Sequence, residues 1–270
     1  MRVELVILVK KTPENSERLE FLDCATPWNV RSGTDFLETR IPARSPEADS
    51  VLAQLESAGF EFYLREERHF GLREIRQAKI LKTGPESQIL SNHLPNQVEF
   101  DWTDVCQTCM RSPSQVGPLF MNHARLAEEQ AIFGPRHELI VSEKVALRMI
   151  KDGITGCILR EIEQAPNTSQ GDSQYFQVIV TRQLPRAFSP PTRFISTDDF
   201  CKSCGQGGLF LDSALYYDVE EQEFQDVNHT HETFGQGAGI SPELLVSSRF
   251  YNLLLSCGAH LEEPEPVVFV

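Results

Sequence analysis

The chain of 270 residues has 40% hydrophobic residues and a formal net charge of −14, which indicates a globular protein large enough for one or two packed domains. The negative charge argues against a nucleic-acid partner, because a polyanion would be repelled at long range. The sequence contains no secretory signal and no apolar run of about 18 residues, so we expect a cytoplasmic protein without a membrane partner.

The first hundred residues predict a small α+β subdomain. The segments 1–11 and 60–70 have the apolar content and alternation that are typical of strands. The segment 45–59 predicts a helix, because it begins with Ser-Pro and ends with Gly. The order strand, helix, strand indicates an α+β arrangement.

A turn-rich segment, KTGPESQILSNHLPNQ at 82–97, separates these elements from the rest of the chain. Turn residues in such density are typical of a connection between domains. We therefore expect two domains, 1–95 and 96–270.

Two C-x-x-C pairs follow in the second domain, Cys106 with Cys109 and Cys201 with Cys204. An odd total of seven cysteines in a chain without a signal favours reduced thiols over a disulfide framework. A tight turn can direct both sulfurs of a pair at one ion, and two such turns complete the tetrahedral four-thiolate shell that structural Zn²⁺ prefers. We call each C-x-x-C turn a knuckle and predict that the two knuckles share one Zn²⁺.

An alternative interpretation is two unrelated pairs, either of which could be a redox dithiol. A thioredoxin-like dithiol follows a strand and opens a helix, whereas Cys204 is followed by GQGG, which disfavours a helix. The redox hypothesis is therefore the weaker one.

A short phrase recurs after the knuckles, as HELIVSEK at 137–144 and PELLVSSR at 242–249. The offset of 105 also aligns Gly153 with Gly258. Each copy predicts a short strand followed by a helix, with a serine as its N-cap and the matched glycine at its end. The second copy has ten extra residues between knuckle and helix, which we place in the acidic stretch and the following FGQGAG.

Each predicted helix has an apolar stripe that we expect to be buried. Its members are Val145, Met149 and Ile150 in the first copy, and Phe250, Leu254 and Leu255 in the second. The sequence as a whole thus predicts an α+β fold: a small N-terminal subdomain followed by a duplicated knuckle-strand-helix unit, joined by a four-cysteine zinc site.

The stretch DVEEQEFQDVNHTHE at 218–232 contains six carboxylates and no lysine or arginine. Such a run is usually a solvated surface, but it could also contact a basic protein. The residues that we consider for partner binding share a negative charge: Asp218, Glu220, Glu221, Glu223 and Asp226.

His229, His231 and Glu232 form the main alternative site. On a strand, an H-x-H spacing places both imidazoles on one face, where a second metal or a general base could be built. This arrangement would suit a metal-dependent enzyme. A surface strand with polar side chains is the competing interpretation, because no third ligand occurs at a helpful spacing.

The two knuckles, together with the segment LIVSEKVALRMIKDGITG, resemble the double-CxxCG motif family of bacterial proteins, over about residues 100–270. The second knuckle, CKSCG, has the full motif, whereas Met110 replaces the glycine in the first. The resemblance implies zinc ligation by the four knuckle cysteines. It also implies a non-enzymatic immunity protein that binds and neutralises a cognate toxin, and the acidic charge favours a basic one.

Overall fold

The computed structural model shows a mixed α+β protein, as the sequence predicts, with two compact units, Met1–Glu74 and Ile75–Val270. The two units are described separately below. The structure describes residues 2–19, 27–30, 36–43, 45–86, 99–103, 105–110, 114–123, 126, 129–134, 137–166, 173–218, 223–235 and 240–270.

The first unit is a four-stranded antiparallel sheet with the order β2-β3-β1-β4. Its strands are β1 (Arg2–Lys10), β2 (Asn29–Val30), β3 (Phe36–Pro42) and β4 (Phe62–His69). Its helices are α1 (Pro13–Leu19) and α2 (Pro46–Ser57), and α3 (Leu72–Gln77) crosses the boundary between the units. The strands predicted at 1–11 and 60–70 correspond to β1 and β4.

Helix α2 confirms the predicted helix at 45–59. The Ser45 hydroxyl accepts a hydrogen bond from the backbone N–H of Ala48 at 3.1 Å, and so satisfies one of the free donors at the helix start. Val51 and Leu55 lie fully buried in one apolar cluster with Ile7 of β1. Burial of this face holds the helix on the sheet.

The second unit contains sixteen strands and two long helices among its described residues. Its first elements are β5 (Ile80–Lys82), β6 (Phe100–Asp101), β7 (Ser114–Gln115), β8 (Phe120–Met121), β9 (Ala131–Phe133), β10 (Leu139–Ser142), α4 (Glu143–Asp152), β11 (Cys157–Glu161) and β12 (Glu163–Gln164). The later ones are β13 (Tyr175–Val180), β14 (Phe194–Ser196), β15 (Leu209–Leu211), β16 (Tyr216–Tyr217), β17 (Val227–Phe234), β18 (Ser241–Ser247), α5 (Ser248–Cys257), β19 (Glu265–Pro266) and β20 (Val268–Phe269).

The boundary between the units lies at residues 74 and 75, earlier than the predicted boundary at 95. The reason is strand β5, which pairs with β18 and β19 near the C-terminus. Residues 75–86 therefore belong to the second unit. The turn-rich segment that suggested the later boundary lies mostly outside the described residues.

Two larger sheets form the second unit. We call the sheet β11-β13-β10-β9 the first sheet and the sheet β14-β15-β17-β18-β5-β19 the second sheet. We call residues 75–166 and 173–270 the first and second halves of the unit. Four strands of each sheet correspond in order: β11, β13, β10 and β9 match β19, β5, β18 and β17.

The two halves exchange their first strands. Strand β13 of the second half pairs with β10 and β11 of the first half, while β5 of the first half pairs with β18 and β19 of the second. The registers agree: Phe176 lies opposite Val141, and Leu81 lies opposite Val246. The halves are therefore interlocked, because each sheet needs a strand from both.

Helices α4 and α5 have the predicted caps. Ser142 and Ser247 accept the N–H bonds of Val145 and Phe250, and each helix ends at a left-handed glycine, Gly153 or Gly258. The helices contact each other.

The first turn of each helix also binds the end of the other. Lys144 Nζ donates to the carbonyl of Cys257 at 2.7 Å, and Arg249 Nη2 donates to the carbonyl of Gly153 at 3.1 Å. Lys144 and Arg249 are 105 residues apart, so they are equivalent residues of the two copies. Because each makes the same kind of contact to the other helix, the halves are related by an approximate two-fold rotation.

The helices and both sheets enclose one apolar core, which includes Val145, Met149, Phe250 and Leu254. Two members of the predicted stripes were placed wrongly, since Ile150 is 68% exposed and Leu255 is 44% exposed. They occupy equivalent positions on the two helices. The core instead contains Ala146, four residues before Ile150, and Leu253, two residues before Leu255.

The ten extra residues of the second half lie mainly in the β17-β18 hairpin. Ala131 pairs with Val141, and Val227 pairs with Val246, which is the equivalent of Val141. Ala131 and Val227 are therefore equivalent, and they are only 96 residues apart in the sequence. The offset reaches 105 at β18. Of the two segments predicted to hold these residues, FGQGAG at 234–239 falls at this hairpin, whereas most of the acidic stretch precedes Val227, where the offset is still 96.

Candidate metal centre

The two knuckles have the same backbone turn. The N–H of Met110 donates to the carbonyl of Cys106 at 2.8 Å, and the N–H of Gly205 donates to the carbonyl of Cys201 at 2.7 Å. Met110 has a φ of 51° and Gly205 a φ of 71°, so both lie in the left-handed region that favours glycine. The methionine thus adopts the conformation that the glycine of the motif would supply.

The knuckles face each other through equivalent residues, which are 95 apart in the sequence. The Sγ atoms of Cys106 and Cys201 are 3.9 Å apart, and those of Cys109 and Cys204 are 3.8 Å apart. Beside them, the Thr108 hydroxyl donates to the Ser203 hydroxyl at 3.0 Å. Contacts between a residue and its own equivalent are the signature of a two-fold arrangement.

All four sulfurs lie within 4.8 Å of one another, which makes a plausible metal site. Four thiolates placed about 2.3 Å from a central ion define a tetrahedron with edges of about 3.8 Å. The distances of 3.9 Å and 3.8 Å between the facing sulfurs agree with that edge. They are far longer than the bond of about 2.05 Å in a disulfide, so the four cysteines are not joined by disulfides.

Backbone donors stabilise one thiolate in each knuckle. Hydrogen bonds from the N–H groups of Cys109 and Thr108 lower the pKa of Cys106 to about 6. The N–H groups of Cys204 and Ser203 likewise lower the pKa of Cys201. Metal binding requires deprotonated sulfur, so these donors favour the ligating form.

Cys204 differs from them, because burial raises its pKa. A divalent cation among the four sulfurs would oppose this effect, since a coordinating thiol loses its proton to the metal's positive charge. The chemistry of the set, four soft sulfur donors, suits zinc or iron better than magnesium or calcium.

The second knuckle is fixed to strand β17. Thr233 Oγ1 accepts a hydrogen bond from the N–H of Gly207 at 2.6 Å and donates to Gln206 Oε1 at 2.8 Å. A side chain at Gly208 would collide with the backbone, because its Cβ would lie 2.3 Å from Phe200 N. No sequence signal marks Thr233, which lies two residues after His231.

The acidic stretch is divided by the structure. Asp218 and Glu223 are exposed, whereas Glu220 and Glu221 lie outside the described residues. Asp226 is only 8% exposed and points into the second unit. A buried carboxylate is poorly placed for direct contact with a partner.

Asp226 is held by three partners from both halves. It forms an ion pair with Arg249, accepts the Ser247 hydroxyl at 2.6 Å and accepts the N–H of Thr155 at 2.9 Å. Burial alone would raise the pKa of Asp226, but these hydrogen bonds outweigh it and lower the pKa. Its equivalent in the first half is Gln130, which accepts the Ser142 hydroxyl at 2.8 Å.

His229, His231 and Glu232 do not form a ligand cluster within the part of the chain that the structure describes. Glu232 Oε1 accepts the N–H of Ala187 at 3.1 Å, and the strand pairing is irregular between His229 and Thr233. Burial lowers the pKa of His229 to about 4.

A second group of ligand-type atoms lies in the first unit, at Glu4, Glu67 and His69. Glu4 already binds Arg2 at 2.7 Å and His69 at 3.1 Å, and Glu67 binds Arg40. The arginines satisfy these carboxylates, so the group is an ion-pair network along β1, β3 and β4.

Comparison of the chain with known protein families, with curated protein sequences and with solved structures found no match. Among the described residues, every helix falls short of the length and apolar character needed to cross a bilayer. The function must therefore be argued from the site and the sequence motifs.

Proposed function

We propose that Cys106, Cys109, Cys201 and Cys204 bind a single structural Zn²⁺ that joins the two halves of a duplicated unit. The observation that carries this proposal is the set of four sulfurs within 4.8 Å, contributed equally by the halves. Zinc fits this set because a closed tetrahedron of four thiolates is one of its usual structural environments. The four sulfurs fill the shell, so the ion stabilises the fold and has no coordination position for a reacting water.

Duplication accounts for the equivalent registers, the reciprocal helix contacts and the facing knuckles. The first strand of each copy lies in the sheet of the other copy. The halves therefore remain linked by strand pairing and by a common core when the ion is removed. We expect chelation to lower the unfolding temperature of the second unit and to loosen the knuckles.

We further propose that the protein is a cytoplasmic, non-enzymatic binding protein, an immunity protein that occludes a cognate toxin. The support is the resemblance of both knuckles to the double-CxxCG motif, together with a Met110 turn that has the glycine conformation. The charge of −14 suits a basic partner, whose association it would accelerate.

The acidic stretch is the partner surface that we propose to test, without Asp226. Asp218 and Glu223 are its exposed carboxylates among the described residues. The matched control is Glu163, an exposed carboxylate on β12 of the same unit.

A competition assay between sibling cells tests this function. Cells that lack the gene should be inhibited by wild-type siblings and protected by a plasmid copy. The Cys201→Ser copy should protect less well at equal expression. Full growth of the deletion strain beside wild-type cells would contradict the immunity proposal.

The same assay tests the surface. Asp218→Lys with Glu223→Lys should reduce protection, whereas Glu163→Lys should not. Equal protection by the double variant and the control would remove the acidic stretch from the interface and leave the immunity proposal standing on the other results.

A further inference from the structure

The two halves of the second unit differ in how well one pair of equivalent places in the fold is packed. In one position, the Phe133 ring lies so close to Gly84 that a Cβ there would be 2.3 Å from the ring. The equivalent residues in the other position are His229 and Ile179. Here the structure has a cavity of about 300 Å³. One half is therefore filled at the point where the other half is open.

The charges at these two positions differ as well. In the filled position, Lys82 binds Glu265 at 2.9 Å, and Glu243 and Glu262 lie near it. The equivalents of Lys82 and Glu265 at the cavity are Gln177 and Arg160. The positive charge lies on the other strand and has no counterpart of Glu265 opposite it, although Glu138, the equivalent of Glu243, also lines the cavity.

Arg160 is the arginine that lines the cavity. Within the described residues its guanidinium forms no ion pair, and its one hydrogen bond is from Nη1 to the carbonyl of Gly117 at 3.0 Å. Gln177, on the paired strand, exchanges amide hydrogen bonds with Gln115 at 2.8 and 3.2 Å. The remaining guanidinium donors are available to an anion, and a carboxylate matches their planar geometry.

The rest of the lining suits the apolar part of an organic molecule better than it suits a bare ion. Val178, Ile179 and Val180 supply an apolar wall, and His229 adds an imidazole. Burial lowers the pKa of His229 to about 4, so the ring is neutral at neutral pH and does not compete for the anion. Glu138 also lines the cavity, but its Oε2 lies against Gly134 of its own turn.

A strained residue lies at the edge of the same cavity. His137 has a φ of 60°, in the left-handed region, within the β9-β10 turn. Strained backbone conformations cluster at functional sites, including ligand sites.

We propose that this cavity binds a small organic carboxylate, with the anionic group on Arg160 and the apolar part against the valine and isoleucine wall. The volume corresponds to about ten non-hydrogen atoms, when each takes the space of one liquid water. This site is separate from the knuckles and does not depend on the proposed immunity function.

Ligand-observed ¹⁹F NMR with 4-fluorobenzoate and the full zinc-loaded chain tests the proposal. We expect broadening of the fluorine signal and a shift of the His229 ring signals. The uncharged 4-fluorobenzyl alcohol should bind about tenfold more weakly, as the loss of a charge-assisted hydrogen bond predicts. Equal binding of the acid and the alcohol would overturn the proposal, as would the absence of any effect on either signal.

Three variants locate the site. Arg160→Gln should weaken 4-fluorobenzoate binding about tenfold. His229→Phe supplies the residue that fills the equivalent position, and it should block binding without lowering the unfolding temperature. Arg148→Gln, on the exposed side of α4, removes the same charge and should leave binding unchanged. Undiminished binding by His229→Phe would refute the site even if Arg160→Gln fails to fold.

Discussion

The left-handed methionine of the first knuckle makes a quantitative prediction. A non-glycine residue in this conformation is strained by about 1–2 kcal/mol, and glycine loses about 0.4–1 kcal/mol through the greater entropy of the unfolded chain. Met110 is 48% exposed, so its side chain contributes little packing. Met110→Gly should therefore stabilise the turn by about 0.5–1 kcal/mol.

Gly205→Ala is the opposite change in the second knuckle. The added Cβ meets no close atom, since its nearest neighbour, Arg186 Nη2, is 3.8 Å away. Backbone strain alone should then destabilise this turn by about 0.5–1 kcal/mol. Because zinc binding and turn formation are coupled, we expect a two- to fivefold change in zinc affinity, roughly, in opposite directions for the two variants.

Zinc affinity measured by competition with a chelator provides the assay. Gly59→Ala is the matched control, because Gly59 has a φ of 70° and open surroundings but lies in the first unit. It should lower stability without changing zinc affinity. If Met110→Gly binds zinc no more tightly than the wild type, the inference that both knuckles need the same turn is wrong.

Three further predictions concern the rest of the second unit. Ser142→Ala should lower the free energy of unfolding in urea by about 1 kcal/mol, and Ser247→Ala by more, because the Ser247 hydroxyl donates to the charged Asp226 whereas that of Ser142 donates to the neutral Gln130; equal losses would contradict that role. Burial lowers the pKa of His229 from its ordinary value of 6.5 to about 4, so between these pH values the unfolded chain binds a proton that the folded chain does not. Stability should therefore fall as the pH falls from 6.5 to about 4, by roughly 3 kcal/mol at most. His229→Phe should remove that part of the pH dependence, and an unchanged profile would argue against burial of the ring. Chelation should lower the unfolding temperature of the second unit only, and a shift in both units would contradict a local site.

The features that sequence could predict are those set by local chemistry. A C-x-x-C spacing fixes a turn and its metal preference within a few residues, and a serine before a helix with a glycine after it fixes both ends. These signals located the knuckles and the helices α4 and α5. The sequence also predicted that the two knuckles lie together, because each knuckle supplies only two of the four thiolates that a structural zinc site needs.

The exchange of first strands could not be predicted, because it depends on pairing across most of the unit. Strand β5 has only three residues, and its equivalence to β13 rests on register rather than on matching residue types. For a similar reason, the sequence could not distinguish the buried Asp226 from the exposed carboxylates beside it in the acidic stretch. Only the fold reveals that it faces the cap of α5, in the place that Gln130 takes beside α4.

The central claim is that cysteines from two distant segments surround one zinc ion. X-ray absorption at the zinc edge, together with metal analysis, tests it most directly. We expect one zinc per chain with four sulfur neighbours at about 2.3 Å, and loss of that zinc on substitution of either Cys106 or Cys201 by serine. Nitrogen or oxygen neighbours, or a zinc that survives either substitution at full occupancy, would contradict the account.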